Sequence, residues 1–146
     1  MLTKILLYII LIKISFQYNF TDNVVKLDET IQYELLNDTI TKFQDLTYHL
    51  TDFNDCVRNI VHSFKNSSLK EYRNEAESVY KTMSIPVWAF EYNFTRLQRK
   101  NKFTDDQVVL IKGLIKEANT LWGQFEHLCR RNNIFFSSDE RWEGFM

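Results

Sequence analysis

Turn-forming residues are scarce in this chain, with three glycines and one proline among 146 residues, where average usage of both would give roughly seventeen. A chain so poor in them cannot form collagen or the many tight turns of an all-β domain. Its 45% hydrophobic content and formal net charge of −1 also exclude a disordered chain. The sequence therefore predicts one domain built from long helices.

The first helical stretch, residues 24–64, carries apolar residues at three- and four-residue steps, the spacing of a helix face that packs on partner helices. Its second part approaches a heptad repeat. The residues that recur every seven positions are Leu36, Phe43, Leu50, Val57 and Phe64. A one-residue offset of the stripe at Leu35, just before Asn37-Asp38, predicts a kink or a break into two helices.

A second helical stretch covers residues 69–97 and contains the single proline, Pro86. Because proline lacks a backbone donor, we expect a kink around residues 82–86. A third stretch begins at Thr104, a good N-cap, with acidic residues in its first turn. It ends at Arg130-Arg131, before two asparagines.

These patterns predict an all-α fold of three or four long antiparallel helices after an amino-terminal signal segment. Short connections near Asn66 and Asn101 join neighbouring helices. The expected division is a signal peptide over residues 1–18, a helical domain over residues 19–133 and a short carboxyl-terminal tail over residues 134–146.

The amino terminus has the pattern of an export signal, because Lys4 precedes an apolar run over residues 5–12. This run is too short to span the hydrocarbon core of a bilayer, which needs about 20 residues. Residues 14–17 lack the small-x-small pattern of a cleavage site, so an uncleaved amino-terminal anchor is the alternative. We expect a secreted, extracellular protein that contacts a membrane only if this segment stays attached.

Four Asn-x-Ser/Thr sequons agree with export and are candidate glycosylation sites. Their asparagines are Asn19, Asn37, Asn66 and Asn93. Several sequons behind a signal segment favour export more strongly than one sequon does.

The two cysteines, Cys56 and Cys129, suit an oxidising compartment, where we expect them to form one disulfide. In the entropic model, a bridge across so long a loop stabilises the fold by about 4 kcal/mol. Two separately buried free thiols, or pairing with another chain, are the alternatives. Two cysteines alone form neither a disulfide scaffold nor a tetrahedral zinc site.

Motifs of common catalytic chemistry are absent: the sequence has no H-E-x-x-H, no glycine-rich phosphate loop and no G-x-S-x-G. His49 and His62 are far apart on one stretch and His127 is distant, whereas a metal-binding pair usually stands at i and i+4. Eighteen basic and nineteen acidic residues leave no excess charge for nucleic acid. We therefore expect no catalytic residue, metal, cofactor or nucleic-acid partner.

Three segments resemble the amino-terminal helical region of the angiotensin-converting enzyme family, which are secreted zinc dipeptidyl carboxypeptidases. They are Ala76-Glu77-Ser78-Val79, Trp88-Ala89 and Asn93-Phe94-Thr95. A later segment, Leu121-Trp122-Gly123-Gln124, is similar to a W-G-Q segment on a following helix of that family. Tyr92 and Pro86 depart from the family pattern.

The resemblance implies the lid helices of a zinc peptidase without its zinc-bearing body, because the metal-binding motif is missing. Such a protein is not catalytic alone, and its partner is a peptide or an extracellular protein. The alternative is a secreted helical-bundle binding or signalling protein of the cytokine or effector kind. A carrier of a small apolar ligand is a third hypothesis, since the aromatic segment 88–94 could line a cavity or simply pack in the core.

Overall fold

A computed structural model describes residues 2–37, 39–66, 74, 76–79, 86–90 and 92–134, with the side chains of residues 10–21, 64–66 and 87 left aside. Over these residues the fold is all-α, and no strand is present in them. The predicted carboxyl-terminal tail, apart from Ile134, lies outside the described residues. So does most of the second helical stretch before Pro86.

Four α-helices and one short 3-10 turn have defined bounds. They are α1 (Leu2–Leu36), α2 (Phe43–Asn66), the 3-10 turn (Val87–Ala89), α3 (Phe94–Asn101) and α4 (Asp105–Arg131). Residues 76–79 are also helical. The gap between α1 and α2 confirms the break predicted near Asn37.

The helix α1 crosses the predicted signal boundary at residue 18 without interruption. Its residues 2–9 are all exposed, and its first buried side chain among those described is Val24. Among the described side chains of α1, those that reach the core begin at Val24, in its carboxyl-terminal half. Among the described residues, no helix is both long and apolar enough to cross a membrane.

The boundaries of α4 agree with the sequence prediction. Thr104 is the N-cap, and its side chain and that of Gln107 form a reciprocal capping box. Asp105 and Asp106 occupy the first turn, whereas Arg130 and Arg131 occupy the last turn. Both pairs of charges stabilise the helix through their interaction with its dipole.

The single proline does more than kink a helix, which corrects the prediction for residues 69–97. After Pro86 the chain forms the 3-10 turn, in which the Ala89 amide donates to the Pro86 carbonyl over 2.8 Å. Asn93 is then extended, and its side-chain oxygen accepts a hydrogen bond from the Arg96 amide over 3.1 Å. Because an asparagine in this position caps a new helix, α3 begins separately.

The centre of the core is aromatic. Phe53 of α2 meets the edge of Trp88 at a centroid distance of 5.1 Å and stacks with Trp122 of α4 at 6.4 Å. Phe125 lies 5.1 Å from Trp122. Burying such large rings accounts for much of the hydrophobic stabilisation.

The heptad prediction holds for part of α2 and fails at its beginning. Leu50 and Val57 are completely buried, but Leu36 is 49% exposed. The reason is that α1 ends at Leu36, so this residue does not continue the α2 stripe. Its neighbour Leu35 supplies the buried contact instead.

Among the described helices, α2 and α4 make the most extensive contact, and they run in parallel. Phe43 contacts Phe103, Asn54 donates to the Leu114 carbonyl, and Arg58 pairs with Glu117, so the residue numbers rise together. Helices adjacent in sequence are joined by the short connections 37–42 and 102–104. The antiparallel packing predicted for the neighbouring helices joined near Asn66 lies largely outside the described residues.

Candidate functional site

The two cysteines are free thiols in the structure, so the predicted disulfide is not supported. Arg58 pairs with Glu117, which sets Cys56 level with the middle of α4. Cys129 lies twelve residues beyond Glu117, about 18 Å along the helix. A disulfide needs Cα atoms within about 7 Å of each other.

Neither thiol has the environment of a nucleophile. Burial, with help from Asp52 and Asp55, raises the pKa of Cys56 to about 11. Burial and the nearby Glu126 raise the pKa of Cys129 to about 12. Since the thiolate is the reactive form, both side chains are inert at neutral pH.

Two of the four sequon asparagines have described side chains. Asn37 follows the end of α1 and Asn93 caps α3, and both are exposed. The side chains of Asn19 and Asn66 lie outside the described residues. Oligosaccharide attachment uses the amide nitrogen, so a glycan on Asn93 would leave its capping oxygen in place.

The residues that carry the resemblance divide between core and surface. Ala76, Val79, Trp88 and Ala89 are buried, each at 5% exposure or less. Glu77 is half-buried, while Asn93 and Thr95 are exposed. The apolar matches therefore have a packing role in this fold.

The histidines are not brought together. His49 pairs with Glu34 through Nδ1 and Oε1 over 2.9 Å, and His62 and His127 are exposed. In the part of the chain that the structure describes, no three histidine, cysteine or acidic residues are grouped as metal ligands.

A buried hydrogen bond between Asp28 and Trp88 was not anticipated from the sequence. The Trp88 indole nitrogen donates to Asp28 Oδ1 over 2.8 Å, and both residues are almost completely buried. The pKa of Asp28 is raised to about 6, and burial is the largest cause. The Trp88 hydrogen bond acts against this increase, whereas the negative charge of Glu29 adds to it. The spacing of Asp28 from Val24 and Ile31, four and three residues, was the available signal.

Asn54 is a second buried polar residue that the sequence patterns missed. Its amide nitrogen donates to the Leu114 carbonyl over 3.0 Å, whereas its buried Oδ1 accepts no hydrogen bond from the residues that the structure describes. Beside it, Arg58 pairs with Asp55 of the same helix and with Glu117 of α4. These contacts fix the register of the two helices, but they do not form a catalytic arrangement.

An exposed group of large apolar side chains lies at the corner between α1 and α2. We call it the apolar edge. It consists of Tyr33 (57% exposed), Leu36 (49%), Ile40 (81%) and Tyr48 (64%). Exposed tyrosine and aliphatic side chains at one corner are typical of protein contact surfaces.

A basic depression lies on the outer side of α3. This α3 cleft has a volume of about 440 Å³, and it is lined by Asn93, Thr95, Arg96, Arg99 and Lys100. Lys100 also donates through Nζ to the Asn37 carbonyl, which connects the cleft to the α1–α2 corner.

Comparison with protein families, curated proteins and solved structures gives no match to this chain. Functional inference therefore rests on the geometry described above.

Proposed function

We propose that the protein is a secreted, glycosylated helical protein that binds an extracellular protein partner through the apolar edge and has no catalytic activity of its own. The observation that carries this proposal is the exposure of Tyr33, Leu36, Ile40 and Tyr48 beside a core that buries Phe53, Trp88 and Trp122. Exposing four such side chains costs hydrophobic free energy, which a partner surface recovers.

The paired residues Glu34 and His49 explain why the edge is one surface. Tyr33 and Tyr48 immediately precede them in α1 and α2. In antiparallel helices, equal steps from two facing residues lead to the same side of the helix pair. Leu36 lies three residues after Tyr33 and shares its helix face.

The expected partner surface is an apolar pocket with carboxylates around it. Tyrosine is frequent among the residues that contribute most to binding energy at interfaces, since it buries a large rigid ring. Lys42 is exposed next to the α1–α2 corner, and Lys100 reaches the same corner through its bond to Asn37. Cations at the rim favour an acidic partner and speed its association.

Export is supported by two further observations. Residues 2–9, which contain Lys4 and the first part of the apolar run, are exposed and take no part in the core, as a removable signal segment requires. Asn37 and Asn93 are accessible for glycosylation.

Binding of the labelled protein to intact cells tests the proposal. We expect saturable binding that unlabelled protein displaces and that protease treatment of the cells abolishes. Tyr33→Ser combined with Tyr48→Ser should weaken it at least about tenfold, because interface tyrosines often contribute 2 kcal/mol or more each.

The matched control is Val109→Ser combined with Leu110→Ser, which removes two exposed apolar side chains from α4. This control should bind as the unchanged protein does. Equal loss in both double variants, or binding that survives protease treatment of the cells, would contradict a protein partner at the apolar edge.

A second proposal is kinship with the angiotensin-converting enzyme family, as a relative without the zinc site. The matched residues at 76–79 are helical, as lid helices require. The expected result is no release of carboxyl-terminal dipeptides after zinc addition. Chelator-sensitive cleavage by the purified chain would show instead that it is an active peptidase.

A further inference from the structure

The side of α4 that faces away from the core is exposed along its whole length. The buried residues of this helix, from Val108 to Cys129, all lie on the opposite side. We call the exposed side the outer face. Its central residues follow one another at steps of three and four, and all of them are exposed: Val109, Gly113, Lys116, Thr120, Gly123 and His127. Asp105 and Arg131, also exposed, end the same face.

The outer face is complementary in charge to a second copy of itself that runs antiparallel. Position 118 is the midpoint of α4, so in a two-fold symmetric pair each residue faces the one at an equal distance beyond this midpoint. Asp105 then faces Arg131, and opposite charges meet at both ends. A carboxylate accepts several hydrogen bonds, so the bond that Asp105 accepts from Gln98 leaves room for Arg131. A parallel pair would bring like charges together and align the two helix dipoles.

The two glycines of α4 occupy symmetric positions on the outer face. Gly113 lies five residues before position 118 and Gly123 five residues after it, so they face each other in the antiparallel pair. Among the described residues, nothing lies within 4 Å of the place that a Cβ would take at either position. The single chain therefore does not need glycine here, although glycine destabilises a helix relative to alanine. Close approach of a second backbone gives both glycines a role.

A hollow on the outer face matches the exposed apolar side chains at the other end of α4. It has a volume of about 420 Å³ and is lined by Thr120, Gly123, Gln124, His127, Leu128 and Arg131. Val109 and Leu110 are 66% and 52% exposed. They lie eight and nine residues before position 118, and the hollow extends from two to thirteen residues after it. The antiparallel pair therefore places both side chains of one copy over the middle of the hollow of the other, where their apolar surface is removed from water.

We propose that the protein forms an antiparallel homodimer through the outer face of α4. Two-fold symmetry uses the charge pair and the contact with the hollow twice each. A single pair of helices is a small interface, so we expect a dissociation constant of about 10 µM. Cell binding at nanomolar concentration therefore measures the monomer, and the control with Val109→Ser and Leu110→Ser keeps its meaning there. The described sequon asparagines, Asn37 and Asn93, lie outside the outer face.

Sedimentation equilibrium of the purified protein at about 1–100 µM tests the dimer. Gly113→Gln combined with Gly123→Gln places long side chains where the two backbones meet, so self-association should weaken at least about tenfold. The thermal midpoint of this variant at low concentration should rise, because glutamine favours a helix more than glycine does. Loss of the dimer together with a more stable monomer separates this result from unfolding.

The charges at the ends of the outer face test the antiparallel register. Asp105→Lys and Arg131→Glu each bring like charges together in the dimer, so each should weaken self-association at least about fivefold at low salt. The two substitutions combined in one chain should restore affinity to within about twofold of the unchanged protein. Only an antiparallel pair gives this restoration, because a parallel pair would still join like charges.

The matched control for charge reversal is Asp45→Lys, which changes an exposed carboxylate in the first turn of α2. It should leave the dissociation constant unchanged, as should Tyr33→Ser combined with Tyr48→Ser. Thr95→Ala, which abolishes the Asn93 sequon and keeps its capping side chain, should also leave it unchanged. The proposal is overturned by a monomer throughout the concentration range, by a dimer that survives the glycine substitutions or is lost in the tyrosine variant, or by a dimer that appears only in Thr95→Ala.

Discussion

Asp28 makes the stability of the fold depend on pH in an unusual direction. Its pKa of about 6 in the folded protein exceeds the ordinary value of 3.8 because burial disfavours the carboxylate. The folded chain therefore holds a proton that the unfolded chain has released between these two pH values. The stabilising contribution is fully present below pH 3.8, falls as pH rises to about 6, and is then lost.

The difference between the two pKa values corresponds to about 3 kcal/mol. Asp28→Asn removes the titration and keeps an oxygen that accepts from the Trp88 indole. Its added amide needs a buried partner, which costs about 1–3 kcal/mol at every pH. The free energy of unfolding of the variant minus that of the unchanged protein should therefore increase by about 3 kcal/mol from pH 3.5 to pH 7. The constant cost of the added amide does not affect this increase.

Urea unfolding followed by circular dichroism at pH 3.5, 4.5, 5.5 and 7 measures this difference. Asp22→Asn is the matched control, because it makes the same replacement at an exposed position on the same helix. A pH-independent difference for Asp28→Asn, or a difference that falls as pH rises, would refute the assignment of the proton to Asp28.

Three other predictions concern packing and the cysteines. Phe53→Ala should lower the free energy of unfolding by about 3–5 kcal/mol in urea titrations, whereas Phe90→Ala, at a half-exposed position, should cost less than about 1 kcal/mol; equal costs would contradict the aromatic core. Asn54→Leu should raise the thermal midpoint, since it removes a buried acceptor without a donor; a lower midpoint would show that the Leu114 contact contributes more. Alkylation in urea without reductant should label both Cys56 and Cys129 by mass spectrometry, and labelling that requires reductant would establish a disulfide.

Periodicity and capping residues predicted α4 accurately. The stripe from Val108 through Ile115 and Trp122 to Cys129 is buried as expected, because a long amphipathic helix determines its own buried face. Local signals also located the break before α2. They did not show that Asn93 starts a separate helix. The apolar spacing continues through this position, whereas the Asn93 side chain caps a new helix by accepting from the Arg96 amide.

The candidate sites depend on contacts between distant positions, which a local pattern does not contain. Asp28 stood on an apolar stripe, but its partner Trp88 is 60 residues away. The disulfide prediction rested on the number of cysteines and the expected compartment. Neither gives the register of α2 against α4, which keeps Cys56 and Cys129 apart. The α3 cleft was missed because total charge averages the basic segment with the acidic residues elsewhere.

The parallel register of α2 and α4 has a consequence for the order of folding. Hydrogen bonds between the two halves of the molecule join residues 57 to 63 positions apart, as in Asn54 of α2 to Leu114 of α4, Tyr92 to Leu35 and Lys100 to Asn37. Each contact needs closure of a long loop before it can form. A helical domain with such separations has a higher contact order than a bundle of simple hairpins, so we expect it to fold more slowly than its helix content suggests.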